Sequence, residues 1–352
     1  DGYGVSSKAL SHDRSKTFKI VGVARAGHPF EGSIGYGEAI EIYTGAIMPN
    51  GPDCVAMHED CNRNGQFVSI QKPVKAGFNL RLAGENLSKG EAVITRGQRI
   101  NAALIGQLAT SGHKEIAVQK IVKVALLSTG DEIVEVGSSL KTGQIYDSNR
   151  PMVRALLSEP MLSLHDCGIV PDKLAALTSK YEEALAANDV VISSGGASDG
   201  VEDHTQAAMK AVGADCALWR LAMKPGRPMA VGQRGEKLIF CLPGNPVAAF
   251  VCTKLLIMPL LTHLAGGVIN RPLKFVIPAG FSHKKAKGRA EYLRATITSG
   301  MYGQEIKLHG RKGAGVISSL IGSDGLVEIP SDNAGVEPGM PLAFLPFADR
   351  AL

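Results

Sequence analysis

The chain has 352 residues, 45% of them hydrophobic and 20% charged, with a formal charge of +5 from 38 basic and 33 acidic side chains. That length allows two or three domains with cores of their own, and the spread of apolar residues along the chain excludes bulk disorder. The even charge mixture argues against a nonspecific DNA binder held by counterion release, and 5% aromatics with the single Trp219 argue against a stacking platform for nucleic-acid single strands.

Residues 1–80 read as turns and short strands of a small β domain. Lys19-Ile20-Val21-Gly22-Val23 is strand-like, and Ala39-Ile40-Glu41-Ile42-Tyr43 alternates in strand fashion before a turn at Thr44-Gly45. Residues 81–120 read as a connector, with Ile100, Leu104, Ile105 and Leu108 at helical spacing and Gly112 placed to end that helix. From 121 to 268 strands and helices alternate. Val122 to Leu127, Asp189 to Ile192 and Leu238 to Leu242 are continuous apolar runs, each followed by a loop rich in Gly, Ser or Pro. Such strands imply a mostly parallel sheet covered on both faces. Residues 269–352 return to strand alternation, as in Lys274 to Ile277 and Leu342 to Leu345, and read as a compact β domain. The expected class is therefore α/β plus all-β.

No apolar run reaches the roughly 18 residues of a membrane helix, and no signal-peptide layout opens the chain, so no membrane association is expected. The six Cys form no C-x-x-C pair and read as reduced thiols of a cytoplasmic protein. The nine His form no H-x-x-x-H or H-E-x-x-H pattern, which disfavours a zinc hydrolase. The first residue is Asp1 rather than Met, and the expectation is a processed or truncated start.

In an open α/β sheet, ligands bind beyond the carboxyl ends of the strands. Four loops at such ends carry the chemistry. In Ser128-Thr129-Gly130-Asp131-Glu132 the small hydroxyls can bond an anion and Glu132 can hold a cation or a water; the same residue types also make a turn cap. In Ser193 to His204, Gly195 and Gly196 permit close backbone approach, Ser194 and Ser198 flank them, and Asp199, Glu202 and Asp203 follow. Acids beside a phosphate cradle are reconciled by a hard cation such as Mg²⁺, with Glu132 and Asp203 as its candidate ligands; a helix N-cap is the other reading of Asp203. Lys224-Pro225-Gly226-Arg227-Pro228 sets a point charge and a planar fork in one rigid turn. Pro243-Gly244-Asn245-Pro246 leads from a strand into a helix, with Pro246 suited to the first helical position. Together the loops point to a polyanionic ligand accompanied by a metal. The basic run Lys284 to Arg289 reads as a solvated loop that can assist an anion site.

Taken in order, Asp1-Gly2-Tyr3-Gly4-Val5, Thr44-Gly45-Ala46-Ile47-Met48-Pro49, Ser128 to Glu132, Gly143-Gln144-Ile145-Tyr146-Asp147-Ser148-Asn149, Ser194 to Ser198, Lys224 to Pro228 and Leu242 to Pro246 resemble the signature blocks of the molybdopterin molybdenumtransferase family, which includes bacterial MoeA proteins and the gephyrin E domain. The resemblance implies a central three-layer α/β molybdopterin-binding domain between small N- and C-terminal β domains, with a remnant of an elongated connector domain whose first helices are missing. It implies a homodimer in which the other subunit's N-terminal β domain closes over the site. The implied reaction is Mg²⁺-dependent insertion of molybdate into adenylylated molybdopterin with release of AMP. The implied partners are the molybdopterin adenylyltransferase and proteins that load molybdoenzymes.

By the same resemblance, Asp1, Glu132, Asp172 and Asp203 are the candidate catalytic residues. Thr44, Asn86, Ser128, Thr129, Gly130, Asp147, Ser194, Gly195, Gly196, Ser198, Lys224, Gly226, Arg227, Pro243, Gly244, Asn245, Pro246, Arg289 and Arg294 are the candidate substrate-binding residues. Asn86 stands where the family often has an acid, and Asp199 where an apolar residue is common. Two other readings are a molybdopterin-binding scaffold without turnover and a hydrolase of a different nucleotide pyrophosphate.

Overall fold

The computed structural model describes residues 1–12, 17–195, 204–269, 272–301 and 303–347. They form two compact units, Asp1–Val93 and Ile94–Leu352. The first unit is a six-stranded sheet in the order β4-β1-β3-β2-β6-β5. Its elements are β1 (Gly2–Val5), α1 (Ser7–His12), β2 (Thr17–Ala24), β3 (Glu38–Ile42), β4 (Cys54–Met57), β5 (Cys61–Asn64) and β6 (Phe67–Ile70). Alternation in β3 sends Ala39 into a cluster with Tyr3, Val5 and Phe18, while Ile40 and Ile42 join Ala24, Ile34 and Val55 on the other face.

The second unit opens with α2 (Ala102–Thr110). The Asn101 side chain accepts from the Leu104 amide at 2.9 Å to start it, and Gly112 follows its end at φ +82°. Next come β7 (Val122–Thr129), β8 (Ile133–Val134), β9 (Ile145–Tyr146), α3 (Asn149–Leu156), β10 (Leu162–Val170), α4 (Leu174–Ala187), β11 (Val190–Ser194) and α5 (Thr205–Ala211). They are followed by β12 (Asp215–Arg220), β13 (Met223–Lys224), β14 (Pro228–Arg234), β15 (Lys237–Leu242), α6 (Pro246–Cys252) and α7 (Met258–Leu264).

The sheet order is β10-β7-β11-β15-β14-β12. The first four strands are parallel, β14 pairs antiparallel with β15, and β12 pairs antiparallel with β14. Successive residues of the central strands point to opposite faces. Ala125, Leu127, Val191, Ile239 and Cys241 pack under α4 and α5, and Val124, Leu126, Ile192, Phe240 and Leu242 pack under α3, α6 and α7. Burying each large apolar side chain contributes about 1.5–3 kcal/mol, so both helical layers are held by the same strands. This is the three-layer α/β core.

Three local differences from the sequence reading have simple causes. Strand β7 runs through Ser128 and Thr129 because parallel pairing with β11 carries on to Ser194. Strand β10 is polar along much of its length because it is an edge strand with a bulge after Asp166. The helical run Pro246–Leu264 is long and apolar enough, at mean hydropathy 1.8, to cross a membrane, contrary to the sequence expectation. Its apolar content is explained by packing, since Val247, Ala249, Val251, Cys252, Ile257 and Leu261 lie in the core.

The final strands are β16 (Phe275–Pro278), β17 (His283–Lys284), β18 (Ala290–Gly300), β19 (Gly303–Leu308), β20 (Gly325–Ile329), β21 (Gly335–Val336) and β22 (Pro341–Pro346). Their main sheet has the order β13-β18-β20-β22-β16, with β19 on β18. Strand β13 therefore leaves the α/β region and pairs in parallel with β18. Met223, Val247 and Val251 share a core with Leu326, Leu345 and Phe347.

Candidate functional site

The carboxyl ends of β7, β11 and β15 stand level. Ser194 is paired with Ser128 on one side and Leu242 on the other. The loops after Thr129, Ser194 and Leu242 consequently leave the sheet together. Gly195 has φ +95°, and a Cβ there would lie 2.1 Å from the Thr129 carbonyl oxygen, so only glycine fits. The backbone of Gly244 passes directly beside Gly195.

Asn149, at the start of α3, joins these loops. Its Nδ2 donates to Ser194 Oγ at 2.8 Å and to the Gly244 carbonyl at 2.7 Å. Among the described residues its Oδ1, Ser128 Oγ and Thr129 Oγ1 are buried without a hydrogen-bond partner. An unsatisfied buried polar group costs about 1–3 kcal/mol. All three lie at one set of strand ends, under the loops that follow Thr129 and Leu242. Asn245 precedes α6, makes no side-chain cap bond and is exposed, and Pro243 is buried beneath it. Pro246 opens the helix, whose Val247 amide donates to the Ala314 carbonyl at 2.9 Å. The Gly-rich segment 310–315 therefore lies across the start of α6.

The basic residues fall into different roles. The Lys224 ammonium contacts Glu291 Oε1 at 3.1 Å, and the other Glu291 oxygen is 2.8 Å from His283 Nε2. Burial pushes the Glu291 carboxyl up, but the hydrogen bonds from His283 and Lys224 outweigh it and hold it below its ordinary value. Gly226 has φ +105°, and a Cβ there would meet Cys252 Sγ at 2.5 Å. Arg227 is exposed, while its carbonyl accepts from the Leu221 and Met229 amides. Arg289 is exposed as well. Arg294 is buried and donates to Ser319 Oγ, the Arg311 carbonyl and the Gly313 carbonyl, so it supports the 310–315 segment. Burial lowers its pKa.

Of the acids, Glu132 lies over the end of β7: a Cβ on Gly130 would be 2.6 Å from its Oε2. The Asp172 amide donates to Asp131 Oδ1 at 3.2 Å, which brings the ends of β7 and β10 together. Asp147 is buried and accepts from the Arg150 amide and Nε, and Arg150 also bonds Glu135 and Asp166. Its carboxylate is thereby committed to fixing the start of α3. Asp1 and Thr44 meet in the first unit, where the Thr44 amide donates to Asp1 Oδ1 at 2.6 Å. Asn86 belongs to an exposed turn of that unit. Gly196, Ser198, Asp199 and Asp203 lie outside the described residues. Among the described residues no three or more His, Cys, Asp or Glu gather as a metal cluster.

Sequence reasoning did not single out Asn149, Glu291, His283 or the 310–315 segment as site residues. Asn149 is 45 residues from Ser194 and 95 from Gly244, so no local motif advertises their contact. A cavity lined by Arg154, Leu157, Ser158, Glu159, Pro160, Leu162 and Leu164 shares no residue with the loops described above.

Family models match the chain in three blocks. The MoeA N-terminal region (domain I and II) matches residues 1–112, a probable molybdopterin binding domain matches 125–263, and the MoeA C-terminal region (domain IV) matches 276–347. The molybdopterin molybdenumtransferase of Haemophilus influenzae is 36% identical over 352 residues, covering 99% of this chain and 86% of that protein. The protein of the same name from Staphylococcus aureus strain MRSA252 is 32% identical, covering 96% and 82%. The crystal structure of the molybdopterin biosynthesis MoeA protein from Pyrococcus horikoshii OT3 superposes with a TM-score of 0.82 at 25% identity, covering 99% of this chain and 86% of that one.

Proposed function

From the premise that this chain belongs to the molybdopterin molybdenumtransferase family, the MoeA proteins, we propose that it is a transferase of molybdenum cofactor biosynthesis. Its substrate is molybdopterin, taken in the adenylylated form, and the reaction inserts molybdate into the dithiolene and releases AMP. The observation that carries the reading is the level row of strand ends, where Ser128, Thr129 and Asn149 hold unsatisfied buried polar atoms and Gly195 admits no side chain. A ligand with a pterin phosphate joined to AMP supplies acceptors for the Ser128 and Thr129 hydroxyls and, from its ring N–H groups, a donor for Asn149 Oδ1.

Residue roles follow from chemistry. Lys224 and Arg227 neutralise oxygens of the phosphates or of molybdate. Glu132 orients the water that attacks the pyrophosphate and accepts its proton as the bond to AMP breaks. The hydroxyls of Ser128 and Thr129 hold the phosphate in line. The exposed Glu132 offers a hard oxygen donor of the kind that Mg²⁺ prefers. When bound, that ion would supply charge neutralisation on the phosphates. Asp203 belongs to the same proposal by its resemblance to the family's acid. Arg294 acts through the 310–315 segment it holds.

The four-part division at about 80, 120 and 268 and assembly as a homodimer belong to the same reading. The six cysteines, taken as reduced thiols, fit a reducing compartment, the cytoplasm. The test is incubation of the purified chain with adenylylated molybdopterin, molybdate and Mg²⁺, with light scattering on the same sample. AMP release that depends on molybdate, by a particle of two chains, is expected. Binding without AMP release would leave a scaffold, and AMP release indifferent to molybdate would leave a pyrophosphate hydrolase.

A further inference from the structure

We propose that Glu291 is a positioning residue that aims the Lys224 ammonium at the anionic ligand, with His283 holding the Glu291 carboxylate in place. The inference rests on the functional reading above and concerns the same site. Lys224 and Glu291 are register partners across β13 and β18, which puts their side chains on one face. The Glu291 side chain is 8% exposed and that of Lys224 is 56% exposed. One donor of the ammonium is therefore tethered at 3.1 Å, and two remain for a ligand. His283, with a side chain 10% exposed, occupies the second carboxylate oxygen at 2.8 Å, so the carboxylate cannot turn away from Lys224. A free lysine carries rotamer entropy that binding would otherwise have to remove.

The bridge is not needed to hold the strands together. The Ala290 amide already donates to the Ala222 carbonyl at 3.0 Å, and Met223 pairs with Ala290. What the buried carboxylate adds is direction for a side chain that would otherwise sweep through solvent.

The experiment is a double-mutant cycle on the full chain with Glu291→Gln, Lys224→Met and the pair, read as kcat and KM for adenylylated molybdopterin at saturating molybdate. Glu291→Gln should lower kcat/KM about tenfold, mainly through KM, with a small drop in melting temperature from the loss of the bonded carboxylate. In the Lys224→Met background it should have no further effect, because its action passes through Lys224. Glu291→Asp, which keeps the charge but draws it back, should fall between the glutamine variant and wild type. If Glu291→Gln does not fold, His283→Leu removes the support from the other oxygen and should raise KM in the same direction. Additive losses in an active enzyme would overturn the proposal alone. A wild-type chain that releases no AMP would overturn the functional reading and this proposal with it.

Discussion

Asn149 is a single amide that holds three segments in place. It reaches β11 through Ser194 and the loop before α6 through Gly244, and it stands on the first turn of α3. Asn149→Ala should destabilise the chain by about 1–3 kcal/mol, because Ser194 Oγ and the Gly244 carbonyl lose a buried donor. It should also raise KM for the pterin ligand, since Gly244 and Ser194 are then free to move apart. Urea denaturation beside steady-state kinetics checks both, and a variant with wild-type stability and KM would remove Asn149 from the site. The glycines of these loops were conspicuous in the sequence because turn chemistry is local. Asn149 stood out only as the end of the Gly143–Asn149 block and Glu291 not at all, because their partners lie far away in sequence and meet them only after the sheet has formed.

The central strands position the site because they are anchored on both faces. Phe240 in β15 is fully buried among Leu126, Ile192, Ala249 and Cys252, two residues before the Leu242 end that carries Pro243 and Gly244. Phe240→Ala should cost about 3–5 kcal/mol through lost burial and the cavity left behind. A shift of the urea midpoint without a change in slope would report it, and a loss below about 1 kcal/mol would mean that this layer repacks freely. Continuous apolar runs made β7, β11 and β15 legible in the sequence, and helical spacing closed by Gly112 did the same for α2. Strand β10 was not, because an edge strand needs little apolar surface. The helical run Pro246–Leu264 shows the converse: composition suited to a membrane is spent on a core shared with the C-terminal strands.

Across the whole molecule, three carboxylates in both units link stability to pH in the same direction. Burial pushes Asp53 up, but hydrogen bonds from the Ser7 amide and hydroxyl outweigh it. Burial does the same at Asp166, where the Gly168 amide and Arg150 prevail, and at Glu291, where His283 and Lys224 prevail. Each group sits below its ordinary value near about 4 in the folded chain. The unfolded state therefore binds more protons as the pH falls, so the stabilisation is complete above about pH 5 and is lost as the pH drops through 4 toward the folded values. Melting temperatures measured from about pH 6 to 3 should fall continuously, and Asp53→Asn should flatten part of that slope. A melting temperature that stays level over the range would contradict the assignment.

What the sequence by itself determined was the identity of the parts: an α/β region flanked by β regions, and the Gly, Ser, Pro and Lys-Arg loops at strand ends. These are local properties, written in composition, turn chemistry and the period of apolar residues. The tertiary structure alone decided which parts meet. Parallel register made three strand ends level, a distant Asn tied two loops together, and the pairing of β13 with β18 set Lys224 over Glu291. Long-range hydrogen bonds of this kind depend on packing between segments far apart in sequence, and no short window of residues contains both partners.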